Sequence, residues 1–170
     1  MKTTCQRRLI AILLILLVLT GCSPKARDCT FGDLSFHIPS GFALIEYNDT
    51  KNPVLIAAGT ESMNSATVFL YRAEDTGEGL VFDDNDSYPE PEYVSPDTQK
   101  KEKGAFCGIP ADYTYVSGVK MSGAEKTELE SWEFRHNGFI YRVSVRRDES
   151  ASKRVLEDIQ TLLDSFNLKK

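Results

Sequence analysis

The dipeptide Asn137-Gly138 constrains this chain more than any other feature, because it dictates a strand register. Asn-Gly between alternating strands favours a two-residue hairpin turn with positive φ at both residues. The facing residues then follow: Phe134 meets Tyr141, Trp132 meets Val143 and Glu130 meets Val145, while on the other face Glu133 meets Arg142 and Ser131 meets Ser144. Aromatic and β-branched residues fall together and opposite charges pair, as a stable ladder requires. A slip of one residue would send Trp132 and Phe134 to the face away from Tyr141 and Val143.

Upstream, Leu34, Phe36 and Ile38 alternate with polar residues and predict a strand. Pro39-Ser40-Gly41 is a turn signal, and 42–47 reads as the returning strand. His37 falls on the face away from the apolar trio, which makes it a surface or half-buried strand residue rather than a ligand. A turn is expected at 48–52. Further strands are expected at 54–58, 66–71 and 111–116, with a turn at 118–123. Downstream of the hairpin, Val155, Ile159, Leu162, Leu163 and Phe166 recur at helical spacing and make one apolar stripe. Asp148, Ser150 and Ser152 offer N-caps, and Lys169 and Lys170 suit the negative end of a helix. Together these patterns predict an α+β domain: an antiparallel sheet of about six or seven strands with a C-terminal helix packed on it.

Residues 74–97 carry nine acids and no Lys or Arg, together with Pro89, Pro91 and Pro96. Proline blocks helix and ladder pairing, so the stretch reads as a long acidic loop. A calcium loop wants glycine at position six and glutamate at position twelve. Counting from Asp83 those positions hold Tyr88 and Val94, and the template fails. A solvated loop is therefore expected, with no metal or cofactor implied.

The N-terminus reads as a leader. Lys2, Arg7 and Arg8 precede an unbroken apolar run, Leu9 to Leu19, and Thr20-Gly21-Cys22 follows. A basic region, a short apolar core and small residues before a cut describe a secretory signal; the run is shorter than the roughly 20 residues of a bilayer span. Leu19-Thr20-Gly21-Cys22 resembles the lipobox of bacterial lipoproteins. The resemblance implies cleavage between Gly21 and Cys22 and a diacylglyceryl group on Cys22; an ordinary secretory signal is the alternative. The expected organisation is a leader at 1–21, a tether at 22–30 and one domain at 31–170. The tether assignment rests on Pro24 and the charges of Lys25, Arg27 and Asp28. Lipid on Cys22 would make the membrane the first partner, on the extracytoplasmic face, and Ser23 after the cysteine would favour an outer membrane where the cell has two.

Charge narrows the other partners. The chain has 20 basic and 25 acidic residues, and the leader removes three basic ones and no acid. An acidic domain gains nothing from anionic headgroups and lacks the basic face that nucleic acid demands. Cys5 leaves with the leader and Cys22 takes lipid, so Cys29 and Cys107 remain, either joined in one disulfide outside the reducing cytosol or present as two thiols.

Only two histidines exist, His37 and His136, and no nucleophile elbow, zinc-protease motif or phosphate loop is present. No catalytic residue is assigned. The expected role is a non-catalytic binding or accessory module of the cell envelope, with an unidentified envelope protein or ligand as partner. Two alternatives stand beside it. One is a small-molecule or lipid carrier with a pocket between helix and sheet, reported by Trp132. The other is a hydrolase recruiting Glu128, Glu130 and Glu133.

The order of elements resembles a known group. Ile38-Pro39-Ser40-Gly41-Phe42, then two apolar strands, Gly108-Ile109-Pro110-Ala111, Trp132-Glu133-Phe134, the Asn137-Gly138 turn, Phe139-Ile140-Tyr141-Arg142-Val143 and a helix closing in Asp164-Ser165-Phe166 are similar to the PsbP-like proteins. That group includes the extrinsic P protein of photosystem II and many small bacterial lipoproteins. The resemblance spans about 34–166 and implies an antiparallel sheet with packed helices, serving binding or assembly without shared catalytic residues. Members place a helix where this chain has the acidic, proline-rich 83–96, so one sheet face is expected to be thinly covered.

Overall fold

The hairpin closes in the computed structural model with the register that Asn137-Gly138 demands: Phe134 faces Tyr141, Trp132 faces Val143 and Glu133 faces Arg142. Both turn residues carry positive φ, 50° at Asn137 and 77° at Gly138. The structure describes residues 25–47, 54–59, 65–77, 80, 93–120 and 125–169. The leader, the cleavage site at Gly21 and Cys22, the 48–52 turn and the acidic core 81–92 lie outside the described residues, as does the end of the predicted 118–123 turn.

The strands are β1 (Arg27–Phe31), β2 (Leu34–Ile38), β3 (Phe42–Tyr47), β4 (Val54–Gly59), β5 (Ala66–Glu74), β6 (Tyr93–Phe106), β7 (Ile109–Lys120), β8 (Lys126–His136), β9 (Phe139–Asp148) and β10 (Asn167–Leu168). The helix α1 (Lys153–Asp164) lies between β9 and β10. Among the described residues these form a seven-stranded antiparallel sheet, β3-β4-β5-β9-β8-β7-β6, and a three-stranded sheet, β1-β2-β10.

Four expectations are corrected. The second sheet was not foreseen, and the single sheet of six or seven strands covers only part of the structure. The tether cannot extend to Thr30, because Arg27–Phe31 pairs with β2 from Arg27↔Ile38 to Phe31↔Leu34; pairing outweighed the local charge that suggested coil. The acidic loop is shorter than 74–97: Glu74 ends β5, and residues from Tyr93 belong to β6. Pro96 is tolerated because β6 is an edge strand whose register shifts on both sides of it, and an edge or bulge spares a proline its missing donor. Lys169 does not cap the helix, since the chain turns after Asp164 and Asn167 pairs with Ser35 of β2.

One face of the large sheet holds the core. Val68 and Leu70 of β5, Phe134 of β8, and Tyr141, Val143 and Val145 of β9 pack against Leu34, Phe36 and Ile38 of β2 and Val155, Ile159 and Leu162 of α1. Burying each such aliphatic side chain contributes about 1.5–3 kcal/mol. Ser152 caps α1, its Oγ accepting from the Val155 amide at 3.4 Å. Phe106, Phe134 and Phe166 fill the space between α1, β10 and the sheet. Among the described residues the opposite, outer face carries a small apolar cluster, Phe69 and Tyr71 with Ile45 and Leu80.

Candidate functional site

Because side chains alternate along a strand, antiparallel pairing lines up residues of one face into rows across the sheet. On the outer face one row runs Lys101, Thr114, Ser131, Ser144 from β6 to β9. A parallel row runs Lys103, Asp112, Glu133, Arg142 and ends at Tyr71 of β5. A third contains Gln99, Val116, Leu129 and Arg146. Small hydroxyl residues in the middle row, flanked by long charged ones, leave a hollow of about 400 Å³ lined by Gln99, Lys101, Thr114, Leu129, Ser131 and Ser144, with Glu133, Arg142, Asp112 and Tyr71 as walls. Its volume lies within the range of small-ligand sites.

The walls are internally satisfied. Arg142 donates to Glu133 Oε2 from Nη2 at 2.9 Å and from Nε at 3.3 Å. Lys103 bridges Asp112. The floor hydroxyls of Ser131 and Ser144 are 2.9 Å apart and share one hydrogen bond, which leaves one hydroxyl hydrogen and several lone pairs for a guest. Lys101 is exposed and has no ion-pair partner among the described residues.

The other acids predicted as candidates stand elsewhere. Glu128 and Glu130 project from the opposite face of β8 to Glu133, since odd and even positions point apart. Glu130 accepts from Tyr113 Oη at 2.9 Å and pairs with Arg147; Glu128 accepts from Tyr115 Oη at 3.0 Å. Burial first, then the hydrogen bond to Glu130 and the charges of Glu130 and Glu102, push Tyr113 up to about 12 against the opposing Arg147. Tyr115 is raised by the same kinds of cause, burial first and then its bond to Glu128. The three glutamates are therefore not gathered into one acid pair.

Half-buried His37 donates from Nδ1 to Asp28 Oδ1 at 2.9 Å. His136 Nε2 lies 3.4 Å from the Lys169 carbonyl. Neither lines the hollow. Trp132 sits on the core face between Phe106, at 5.6 Å, and Tyr113, at 5.4 Å, so it reports that face and not the hollow.

Cys29 and Cys107 are unbonded. Cys29 pairs with Phe36 on one flank of β2, whereas the Cys107 thiol donates to the Phe166 carbonyl at 3.4 Å, on the β10 side. Both stand as thiols in the structure. Although Cys107 is exposed as a residue, its sulfur turns inward, and burial pushes the thiol up.

No protein-family model and no curated protein matches this chain. Among solved structures, a crystal structure of a protein from Bacteroides thetaiotaomicron VPI-5482 is similar over 87% of this chain, at 7% identity and a TM-score of 0.49. The chain spans 49% of the length of that protein.

Among the described residues no cluster of three His, Cys, Asp or Glu side chains is arranged to hold a metal ion, and no helix is long and apolar enough to cross a membrane. Sequence reasoning had Ser131 opposite Ser144 and Glu133 opposite Arg142, which is the β8–β9 half of the hollow. It had Thr114 in a strand at 111–116 but not its pairing, and it missed the Lys101 edge because β6 was not recognised. The β6–β7 turn at Cys107-Gly108 has positive φ values of 50° and 78°, repeating the Asn137-Gly138 geometry, but without the Asn or Asp that marks such a turn in a sequence.

Proposed function

We propose that this chain is an exported lipoprotein, held on the extracytoplasmic face of a membrane by lipid on Cys22, whose domain is a non-catalytic module that binds a small polar ligand in the outer-face hollow. The observation that carries the binding role is the row Thr114, Ser131, Ser144 recessed between the ion-paired walls Glu133–Arg142 and Asp112–Lys103. A proton-transferring carboxylate works best when it is free to exchange its proton at the reacting group. Here Glu133 and Asp112 are engaged by cations, which favours recognition over hydrolysis. An antiparallel sheet with a packed terminal helix is also what the resemblance to the PsbP-like group implies, and that resemblance implies a binding or assembly role. The alternative carrier pocket between helix and sheet is disfavoured, since Phe36, Phe106, Phe134 and Phe166 pack there.

A thermal-shift screen against small polar metabolites tests the reading. A binder is expected to raise the melting temperature by mass action, and Ser131→Leu, which fills the floor, is expected to abolish that shift. If no polar compound stabilises the protein, or if Ser131→Leu binds as well as the parent, the hollow is not a ligand site.

A further inference from the structure

The hollow is a balanced site with one charge left over. Asp112 is matched by Lys103 and Glu133 by Arg142. Lys101 shares the row of Thr114 and Ser131, and its ammonium is the one lining cation without an ion pair among the described residues. Its neighbour Lys100 is engaged by Glu102 at 2.8 Å and projects to the opposite face. A ligand seated on the floor thus meets one uncompensated positive charge at the β6 rim.

The remaining groups are of a different kind. Thr114, Ser131 and Ser144 offer hydroxyls that both donate and accept, and Gln99 offers an amide that does the same. Paired carboxylates keep spare lone pairs, so Glu133 and Asp112 can still accept from hydroxyl groups of a guest. Leu129 supplies a small apolar contact. A phosphate would be better served by a bidentate guanidinium, and Arg142 already spends its Nε and Nη2 on Glu133. A single ammonium suits a single carboxylate.

Resting on the reading of the hollow as the ligand site, we infer that its ligand is a small polyhydroxylated carboxylate, of the sugar-acid class. The carboxylate sits at Lys101, and the ring hydroxyls lie along Thr114, Ser131 and Ser144 between the two acid walls.

Titration calorimetry on the whole protein, extracted from the producing cells in a neutral detergent, tests this with sodium glucuronate, glucose and sodium acetate. Glucuronate is expected to bind tightest, about tenfold better than glucose at low salt, as one charge-assisted hydrogen bond supplies. High salt is expected to erase the difference, because Lys101 is exposed. Lys101→Ala should bring glucuronate to the level of glucose, and Lys100→Ala should leave it unchanged. Glucuronate binding no better than glucose, or indifference to Lys101→Ala, overturns the inference. If glucuronate fails while another compound gives a thermal shift that Ser131→Leu abolishes, the sugar-acid assignment falls and the ligand site stands. If no compound gives such a shift, both fall.

Discussion

Asp148 has no exposed side-chain surface, yet it is a carboxylate at the end of β9. Its Oδ1 accepts from Thr127 Oγ1 at 2.8 Å, with Arg146 Nε 3.7 Å away. A buried charge is tolerated only when its lone pairs are satisfied. Thr127→Val keeps the shape and removes the donor. It is expected to cost about 1.5–3 kcal/mol in urea unfolding, the range for a hydrogen bond to a charged group, while Thr127→Ser should cost much less. A second residue carries a pH signature. Tyr113 is pushed up to about 12 in the folded protein, from an ordinary value of 10.0. The folded state therefore holds its phenol proton where the unfolded chain has lost it. Stability from this group is complete below pH 10 and is lost as pH rises towards 12. Tyr113→Phe is expected to flatten that alkaline decline, measured as unfolding midpoints across the window; an unchanged slope would show that Tyr113 does not titrate there.

Tight turns set the registers at the scale of elements, and they differ in how much the surroundings depend on them. Gly138 and Gly32 both have positive φ. A methyl at Gly138 meets nothing within 4 Å, but at Gly32 it would lie 2.6 Å from Tyr141 Oη and 2.8 Å from Arg72 Cδ. Gly138→Ala should thus cost only the left-handed strain of about 1–2 kcal/mol, and Gly32→Ala distinctly more. The Gly32 turn is seated on the sheet by the Asp33 amide donating to Tyr141 Oη at 3.1 Å and by Arg72 lying over the Phe139 ring at 3.6 Å. Cys107 is the reverse case, a non-glycine residue at φ 50°. Cys107→Asn, which suits the left-handed region better, is expected to raise stability by up to about 1 kcal/mol in the same urea assay. These turns also explain what the sequence disclosed. Asn137-Gly138 and the alternation around it delivered β8, β9 and half of the hollow. Cys-Gly carries no such statistical signal, so no strand is expected at 98–106, and the start of β6 at Tyr93 falls inside the expected acidic loop. β1 and β10 are short strands whose pairing with β2 is decided by tertiary contact. Charged Arg27 and Asp28 and the polar Asn167 hide that pairing from any local pattern.

For the whole molecule, the division between two faces bears on how the protein meets its surroundings. The helix and the small sheet cover one face of the large sheet, and the hydroxyl row lies on the other. Without its leader the chain would keep 17 basic residues against 25 acidic ones. Such a domain is repelled by anionic headgroups, so attachment would fall to lipid on Cys22, where each buried methylene contributes about 0.8 kcal/mol and two acyl chains hold stably. Two kinds of anchoring predict different behaviour. Headgroup attraction is screened within about 10 Å at moderate salt and should yield to a high-salt wash, whereas acyl insertion should resist salt and yield only to detergent. The wild-type protein is expected to stay with membranes in high salt. Cys22→Ala is expected to lose membrane fractionation, and the two core-domain thiols of its exported form, Cys29 and Cys107, should both react with a thiol reagent once unfolded without reductant. Fractionation of Cys22→Ala indistinguishable from wild type would mean that the grip on the membrane lies somewhere other than this cysteine.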